Sequence, residues 1–191
     1  MTTLTILIGI QGSGKSTLAK RIRECDHPVI LEPDAFRWVL AGKPYHQELE
    51  DTVWSHVKTT TRVLLRSDQS VILDATNTKR GFRSQWINIA QERVRSVVTA
   101  SLILTPLDIA LSRNRERDIP VPVEHINRFA QDLEVPALEE GFDNIYILNK
   151  DLNIIGSAST ETTKGVYDFL LGYKKPYAHP HIIDAVQEEL L

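Results

Sequence analysis

A glycine-rich stretch near the N-terminus, "GIQGSGKST" at residues 9–17, has the residue types needed to hold a phosphate. Five apolar or β-branched residues, Leu4–Ile8, precede it and predict a buried strand, while Leu18 and Ile22 follow at helical spacing. A strand, a glycine-rich turn and a helix in this order are the context of a P-loop, whose pattern G-x-x-x-x-G-K-[ST] is matched here. The sequence therefore predicts a site for a nucleoside triphosphate.

The residues of this motif have separate tasks. Glycines allow the backbone to turn tightly, so that successive N–H groups point into one concavity, and the helix that follows adds its positive end. We expect Lys15 to reach the β- and γ-phosphates of ATP and the Ser16 hydroxyl to bind Mg²⁺. The residues predicted to contact the nucleotide in this loop are Gly12, Ser13, Gly14, Lys15, Ser16 and Thr17.

A carboxylate and an arginine follow the second predicted strand, Val29–Glu32, in the stretch "EPDAFR". Asp34 and Arg37 are three residues apart, so they share one face if a helix begins at the aspartate. We expect this strand to neighbour the P-loop strand, which would place both side chains near the γ-phosphate. The carboxylate can accept a proton from an attacking hydroxyl, and the arginine can bind an anionic group of the acceptor. An N-cap aspartate beside a surface arginine is the alternative.

The third predicted strand, Ser70–Ala75, is followed by polar residues in "VILDATN". Asp74 ends an apolar run, as an acidic residue near Mg²⁺ does in P-loop enzymes. Thr76 and Asn77 can either hydrogen-bond a substrate or brace the P-loop. A strand-to-helix turn with a capping residue explains the same stretch, so the spacing alone leaves these roles open.

Three arginines within five residues form the next cluster, in "SRNRERDIPVP". Arg113 and Arg117 are four residues apart and share a helix face. Arginines followed by a proline-stiffened loop suit a cover over a triphosphate, because a guanidinium stabilises charge on a transferring phosphoryl group. The alternative is a solvated helix with ion pairs through Glu116 and Asp118.

Composition limits the classes of protein to consider. The 191 residues suffice for one domain with a sizeable core, and a net charge of -3 means that any basic, nucleic-acid-binding surface must be local. A single cysteine, Cys25, forms no intrachain disulfide, and no stretch approaches the ~20 apolar residues of a membrane span. The histidines lack zinc-ligand spacing. We expect a cytoplasmic protein with no membrane partner; the sequence does not indicate its oligomeric state.

Apolar runs alternate with amphipathic stretches along the chain, the pattern of a parallel sheet covered by helices. Further strands are predicted at Val97–Leu104 and Asn144–Leu148, with a weak sixth at Asn153–Ile155. We therefore expect an α/β fold of the P-loop NTPase type: a three-layer sandwich with a parallel sheet of about five strands and helices on both faces. The predicted organisation is a kinase domain at 1–171 with a lid around 113–122, followed by a linker and a short helical tail at 172–191.

Four motifs, "GIQGSGKST", "PDAFR", "VILDATN" and "RNRERDIPVP", occur in an order and spacing similar to those of P-loop kinases of the polynucleotide 5'-hydroxyl kinase type. They are followed by "LEVPALEEGFDNIYIL", which resembles the P-x-x-x-E-G-F stretch at the end of the kinase domain in that family. This resemblance covers roughly residues 4–150. It implies transfer of the γ-phosphate of ATP, with Mg²⁺, to the 5'-hydroxyl of RNA or DNA.

The resemblance also implies roles for individual residues. Asp34 would be the general base, and Arg37 would bind a phosphate of the acceptor. Arg117 would contact the donor phosphates, with Arg113 nearer the nucleotide base. The predicted catalytic residues are thus Lys15, Asp34 and Arg117; the predicted substrate-binding residues are Asp34, Arg37, Thr76, Asn77 and Arg83; and the predicted metal-binding residues are Ser16 and Asp74.

The sequence departs from this family in two ways. The phosphatase signature D-x-D-x-[TV] of bifunctional relatives is absent, and the segment between Asp34 and Asp74 is longer than in the animal enzymes and includes the acidic run "QELED". The acceptor therefore stays open. A basic groove near Arg37, Lys79, Arg80 and Arg83 would favour a nucleic acid, whereas a closed pocket formed by residues 41–52 would favour a sugar, nucleoside or antibiotic. A nucleotide-dependent switch without an acceptor is a third hypothesis.

Overall fold

A computed structural model describes residues 2–43, 47–92 and 96–159 of the chain. The predicted lid lies within these residues. The predicted boundary at residue 171 and the tail at 172–191 lie outside the described residues.

The described chain forms one six-stranded sheet in the order β2-β3-β1-β4-β5-β6. The first five strands pair in parallel, as predicted, and β6 pairs antiparallel with β5 at the edge of the sheet. The weak sixth segment is therefore a strand, but it makes the sheet mixed rather than wholly parallel. The strands are β1 Thr3–Ile8, β2 Val29–Leu31, β3 Val71–Leu73, β4 Val97–Ile103, β5 Asn144–Leu148 and β6 Ile154–Ser159.

Helices connect the strands and cover both faces of the sheet, which confirms the predicted α/β P-loop fold. Short 3-10 helices occur at Gln47–Leu49 and Leu138–Glu140. No helix among the described residues combines the length and the apolar character needed to cross a membrane. The α-helices are α1 Lys15–Asp26, α2 Pro33–Ala41, α3 Glu50–Arg66, α4 Arg80–Gln91, α5 Leu107–Arg115 and α6 Val123–Gln131.

The alternation of side chains along β1 divides the core between the two faces. Ile6 and Ile8 are buried in the larger apolar cluster, which includes residues of α3 and α4, whereas Leu7 belongs to a second cluster with Leu18 and Ala19 of α1. All three strand residues are completely buried. The strand that precedes the glycine-rich loop is therefore packed against apolar side chains on both of its faces.

The strand order corrects one sequence prediction. We predicted that β2, which precedes Asp34, neighbours the P-loop strand, but β3 lies between β2 and β1. Asp74, at the end of β3, therefore follows the strand next to the P-loop strand, and Asp34 follows the strand beyond it. Strand order depends on non-local pairing, which the sequence pattern does not contain.

Candidate functional site

The glycine-rich loop runs from the end of β1 to the start of α1 and has the backbone of a phosphate cradle. Gly12 and Gly14 have φ of 80° and 106°, in the region that favours glycine. A Cβ on Gly12 would lie 2.2 Å from the carbonyl oxygen of Ala110, so no other residue fits there. Because α1 begins at Lys15, its unpaired N–H groups and positive end face the loop.

Lys15 is buried within this loop. Its Nζ donates hydrogen bonds to the carbonyl oxygens of Gly9, at 3.1 Å, and Ile10, at 2.7 Å. Burial lowers the pKa of Lys15 to about 8; the nearby positive charge of Arg117 also lowers it, while the carboxylates of Asp74 and Asp34 oppose the shift. The three charges that act on Lys15 thus come from the three sequence motifs that follow the P-loop.

Asp74 lies just beyond β3 and is 9% exposed. Its Oδ2 is buried and has no hydrogen-bond partner within the described residues. Ser16 is exposed at the start of α1. An unpaired carboxylate oxygen and a hydroxyl are oxygen ligands of the kind that Mg²⁺ takes alongside water and phosphate, so these two residues fit the metal. No cluster of three or more His, Cys, Asp or Glu side chains able to hold a metal by itself occurs in the described part of the chain.

The loop after β3 braces the P-loop strand. Asn77 is 3% exposed, and its Nδ2 donates to the carbonyl oxygen of Leu7 at 2.8 Å. The carbonyl oxygen of Thr76 accepts a hydrogen bond from the N–H of Gly9 at 3.1 Å. Of the two roles that the sequence left open for this pair, these contacts favour bracing.

The prediction that Arg83 binds the acceptor is wrong. Its side chain is completely buried and pairs with Glu140, with Nε and Nη2 each donating to one carboxylate oxygen at 2.8 and 2.6 Å. Its Nη1 donates to the carbonyl oxygens of Asn77, Thr78 and Glu134. Arg83 therefore holds the loop after β3 against the segment that precedes β5.

The basic groove that was expected to include Lys79, Arg80 and Arg83 therefore has fewer exposed, unpaired cations than predicted. Lys79 pairs with Asp132 at 2.9 Å, and Arg83 is buried, which leaves Arg80 exposed. Arg83 shares the buried face of α4 with Trp86, Ile87 and Ala90, as the spacing of positions 83, 86, 87 and 90 requires. That spacing was the sequence signal for a buried arginine.

Asp34 and Arg37 lie together on the first turns of α2, as their spacing predicted. Nη1 of Arg37 donates to Oδ1 of Asp34 at 2.5 Å, and the aspartate side chain is 61% exposed. Arg37 also binds an anionic group, but that group is the carboxylate of Glu50: Nε and Nη2 each donate to one carboxylate oxygen at 2.7 Å. These hydrogen bonds raise the pKa of Arg37 above its usual value. Behind the guanidinium lies the ring of Trp54, 5.8 Å from Cζ to the centroid.

Two carboxylates of this region were not predicted. Glu50 is the first residue of α3, in the acidic run "QELED", and it contacts Arg37 across thirteen residues, a distance at which no local pattern operates. Glu32 lies at the end of β2. Burial and the charges of Asp74 and Asp34 raise the pKa of Glu32 above its ordinary value. The acidic side chains of Glu32, Asp34 and Asp74 therefore lie near one another at the ends of β2 and β3, and Glu50 adds a fourth carboxylate beside Arg37.

The predicted lid begins at the C-terminal end of α5. Nη2 of Arg113 donates to the carbonyl oxygen of Lys150 at 3.1 Å, and Nη1 donates to that of Gly12 at 3.4 Å. Arg113 thus lines an open pocket of about 520 Å³ on the outer side of the P-loop. The pocket is lined by Gly14, Thr17, Arg21, Arg113, Lys150, Asp151 and Leu152.

Arg117 is exposed just beyond α5, in a loop that is closed by one buried side chain. Asn114 is 2% exposed. Its Nδ2 donates to the carbonyl oxygen of Val121 at 2.8 Å, and its Oδ1 accepts from the N–H of Val121 at 3.0 Å. This pair of hydrogen bonds ties the two ends of the loop that carries Arg117. The sequence prediction did not include Asn114.

Comparisons with known proteins agree with this arrangement. The profile of a family described as an AAA domain matches residues 4–136, which is more than half of the chain. The chain therefore belongs to this family, and its own P-loop, residues 9–17, lies within the matched range. Its relatives include kinases for more than one acceptor.

Two curated relatives are kinases. The chain is 30% identical over 148 residues to the L-seryl-tRNA(Sec) kinase of Methanococcus maripaludis, covering 73% of this chain and 56% of the relative. It is 26% identical over 147 residues to the bifunctional polynucleotide phosphatase/kinase of Schizosaccharomyces pombe, covering 74% of this chain and 32% of the relative. The chain thus spans about half of one relative and a third of the other.

A solved structure shares the fold. The structure of a Pnkp1/Rnl/Hen1 complex has a TM-score of 0.53 and 25% identity, covering 59% of this chain and 38% of that chain. The fold and the kinase relatives support phosphotransfer, and the relatives differ in what they phosphorylate.

Proposed function

We propose that this protein transfers the γ-phosphate of ATP to a hydroxyl acceptor, and that the acceptor is the 5'-hydroxyl of RNA or DNA. The observation that carries the proposal is the geometry of the glycine-rich loop: Lys15 is buried in it, hydrogen-bonded to the carbonyl oxygens of Gly9 and Ile10, and the charges of Asp74, Arg117 and Asp34 act on its ammonium. A phosphate-binding lysine, a carboxylate for a metal, a lid arginine and a carboxylate for an acceptor are the parts that phosphoryl transfer needs.

The donor half of the site is formed by the loop between β1 and α1. Its N–H groups and Lys15 would bind the β- and γ-phosphates, and Ser16 and Asp74 would hold Mg²⁺, which neutralises charge on the phosphates when bound. Arg113 and the pocket beside it would take the nucleotide base. Arg117 would stabilise charge as it develops on the transferring group.

The acceptor half is formed by α2. Asp34 is exposed and hydrogen-bonded to Arg37, so it can accept a proton from a hydroxyl that attacks in line. Support for a 5'-hydroxyl end comes from the order of the four motifs and from the similarity to a polynucleotide phosphatase/kinase. Arg37 would then bind the phosphate on the 3' side of the terminal nucleoside.

A second candidate is a small hydroxyl compound or an aminoacyl group with no phosphate beside the hydroxyl. It is favoured by one observation: three of the five N–H donors of Arg37 already bind carboxylates. A nucleotide-dependent switch is less well supported, because a switch needs neither an exposed aspartate nor a paired arginine on α2.

Transfer of labelled γ-phosphate to a panel of acceptors tests the proposal. The panel contains 5'-hydroxyl oligonucleotides of RNA and DNA, nucleosides, nucleoside 3'-monophosphates and small sugars. We expect labelled 5'-phosphoryl ends. Labelled sugars beside unlabelled oligonucleotides would refute the polynucleotide acceptor, and ATP binding without any transfer would refute the kinase.

A further inference from the structure

We propose that Glu50 is a specificity-determining residue that competes with the acceptor's phosphate for Arg37. The inference rests on the proposed kinase function and adds one element to it. The kinase's preference for an acceptor with a phosphate beside the reactive hydroxyl is set by how readily this carboxylate gives up the guanidinium.

The geometry of the pair supports competition. Both oxygens of Glu50 accept parallel hydrogen bonds, each 2.7 Å long, from Nε and Nη2 of Arg37. A phosphate binds the same edge of a guanidinium with the same fork of donors. The Arg37 side chain is only 14% exposed. Its guanidinium therefore offers a phosphate no second exposed edge as good as the one that Glu50 covers.

The local charge supports it as well. Asp34 and Glu50 together exceed the single positive charge of Arg37, so the group carries one net negative charge. An anionic phosphate that enters beside Asp34 meets repulsion unless Glu50 moves away. A bare hydroxyl has no such conflict, because it needs only the carboxylate of Asp34.

Glu50 lies on a different helix from its two partners. It begins α3, whereas Asp34 and Arg37 both lie on α2, and its side chain is 18% exposed. Residues 42–49 separate it from α2 along the chain. A purely structural ion pair between α2 and α3 would give the same contacts, so the experiment must separate the two roles.

The experiment measures kcat/KM for a nucleoside 3'-monophosphate and for the bare nucleoside, with wild type, Glu50→Gln and Glu50→Ala. Removing the competing charge should raise kcat/KM for the 3'-monophosphate about tenfold, mainly through KM, the change expected from one charge-assisted hydrogen bond in a partly exposed pair. The value for the bare nucleoside should stay within about threefold of wild type.

Two controls accompany these variants. Glu48→Gln removes an exposed carboxylate two residues away, in the 3-10 helix, and should leave the ratio of the two kcat/KM values unchanged. Arg37→Lys in the Glu50→Gln background should abolish the gain, since lysine lacks the fork of donors. Thermal unfolding of each variant shows that it is folded.

The outcomes separate this inference from the function on which it rests. A wild type that phosphorylates 5'-hydroxyl oligonucleotides, with a ratio that does not change in Glu50→Gln, overturns only the role of Glu50. Equal losses with both acceptors indicate a structural ion pair and also overturn it. A wild type that phosphorylates neither nucleoside nor oligonucleotide overturns the polynucleotide function itself.

Discussion

Lys15 gives a prediction that depends on the folded P-loop and on no ligand. The change is Lys15→Met, which keeps the length of the side chain and removes the ammonium. Burial lowers the pKa of Lys15 from 10.5 to about 8. Well below pH 8 the ammonium of Lys15 is charged in the folded protein. Burying this charge lowers the free energy of unfolding, and the full reduction is present in that pH range.

The sign and size follow from proton linkage. As the pH rises above 8, the folded state releases the proton before the unfolded state does, so the wild type gains stability until about pH 10.5. At pH 9.5, one and a half units above the folded-state pKa, the gain is about 2 kcal/mol. Lys15→Met has no such group, so wild type minus variant should become more favourable by this amount between pH 7 and pH 9.5.

Urea unfolding without nucleotide and with a metal chelator, at pH 7 and pH 9.5, measures this difference. The double comparison cancels the titration of all other groups. Lys20→Met, which removes an exposed ammonium from the same helix, is the control for the loss of one positive charge. A difference between wild type and Lys15→Met that is the same at both pH values would refute the buried position of Lys15.

Three further predictions concern the loop that carries Arg117 and the buried pair of Arg83 and Glu140. Arg117→Ala should lower kcat by roughly 10²-fold with a smaller change in the KM for ATP, because a charge-stabilising arginine acts as charge develops; normal kcat in steady-state kinetics would refute this role. Asn114→Ala removes two hydrogen bonds that tie the loop carrying Arg117, so trypsin should cleave after Arg117 faster than in wild type, and an unchanged cleavage rate in a timed digest would contradict the assigned contact. Arg83→Met leaves Glu140 buried without its partner and should cost about 3–5 kcal/mol in urea unfolding, partly restored when Glu140 is changed to Gln as well; a neutral single variant would contradict the buried pair.

The sequence predicted those features that depend on neighbouring residues. The P-loop, the five apolar strand segments and the spacing of Asp34 and Arg37 are local patterns, and the structure contains them. Asp74 was predicted from the rule that ligands lie at the carboxyl ends of parallel strands, and its charge acts on Lys15. Arg117 was predicted from the arginine cluster and from the family resemblance.

The features that the sequence did not predict depend on distant partners. Arg83 pairs with a carboxylate 57 residues away, and Arg37 of α2 donates hydrogen bonds to Glu50 of α3. The position of β3 between β2 and β1 is likewise set by strand pairing between distant segments. A residue's type and spacing indicate the chemistry available to it, but not which partner already uses that chemistry.

The central claim is that a hydroxyl held at Asp34 receives the γ-phosphate of ATP. Its most direct test is the transfer of labelled γ-phosphate to a 5'-hydroxyl oligonucleotide by wild type, Asp34→Asn and Asp68→Asn. Asp68 is an exposed aspartate beyond the far end of α3, and its change is the matched control. We predict label at the 5' end with wild type and Asp68→Asn, and loss of transfer with retained ATP binding in Asp34→Asn. Full transfer by Asp34→Asn would contradict the account.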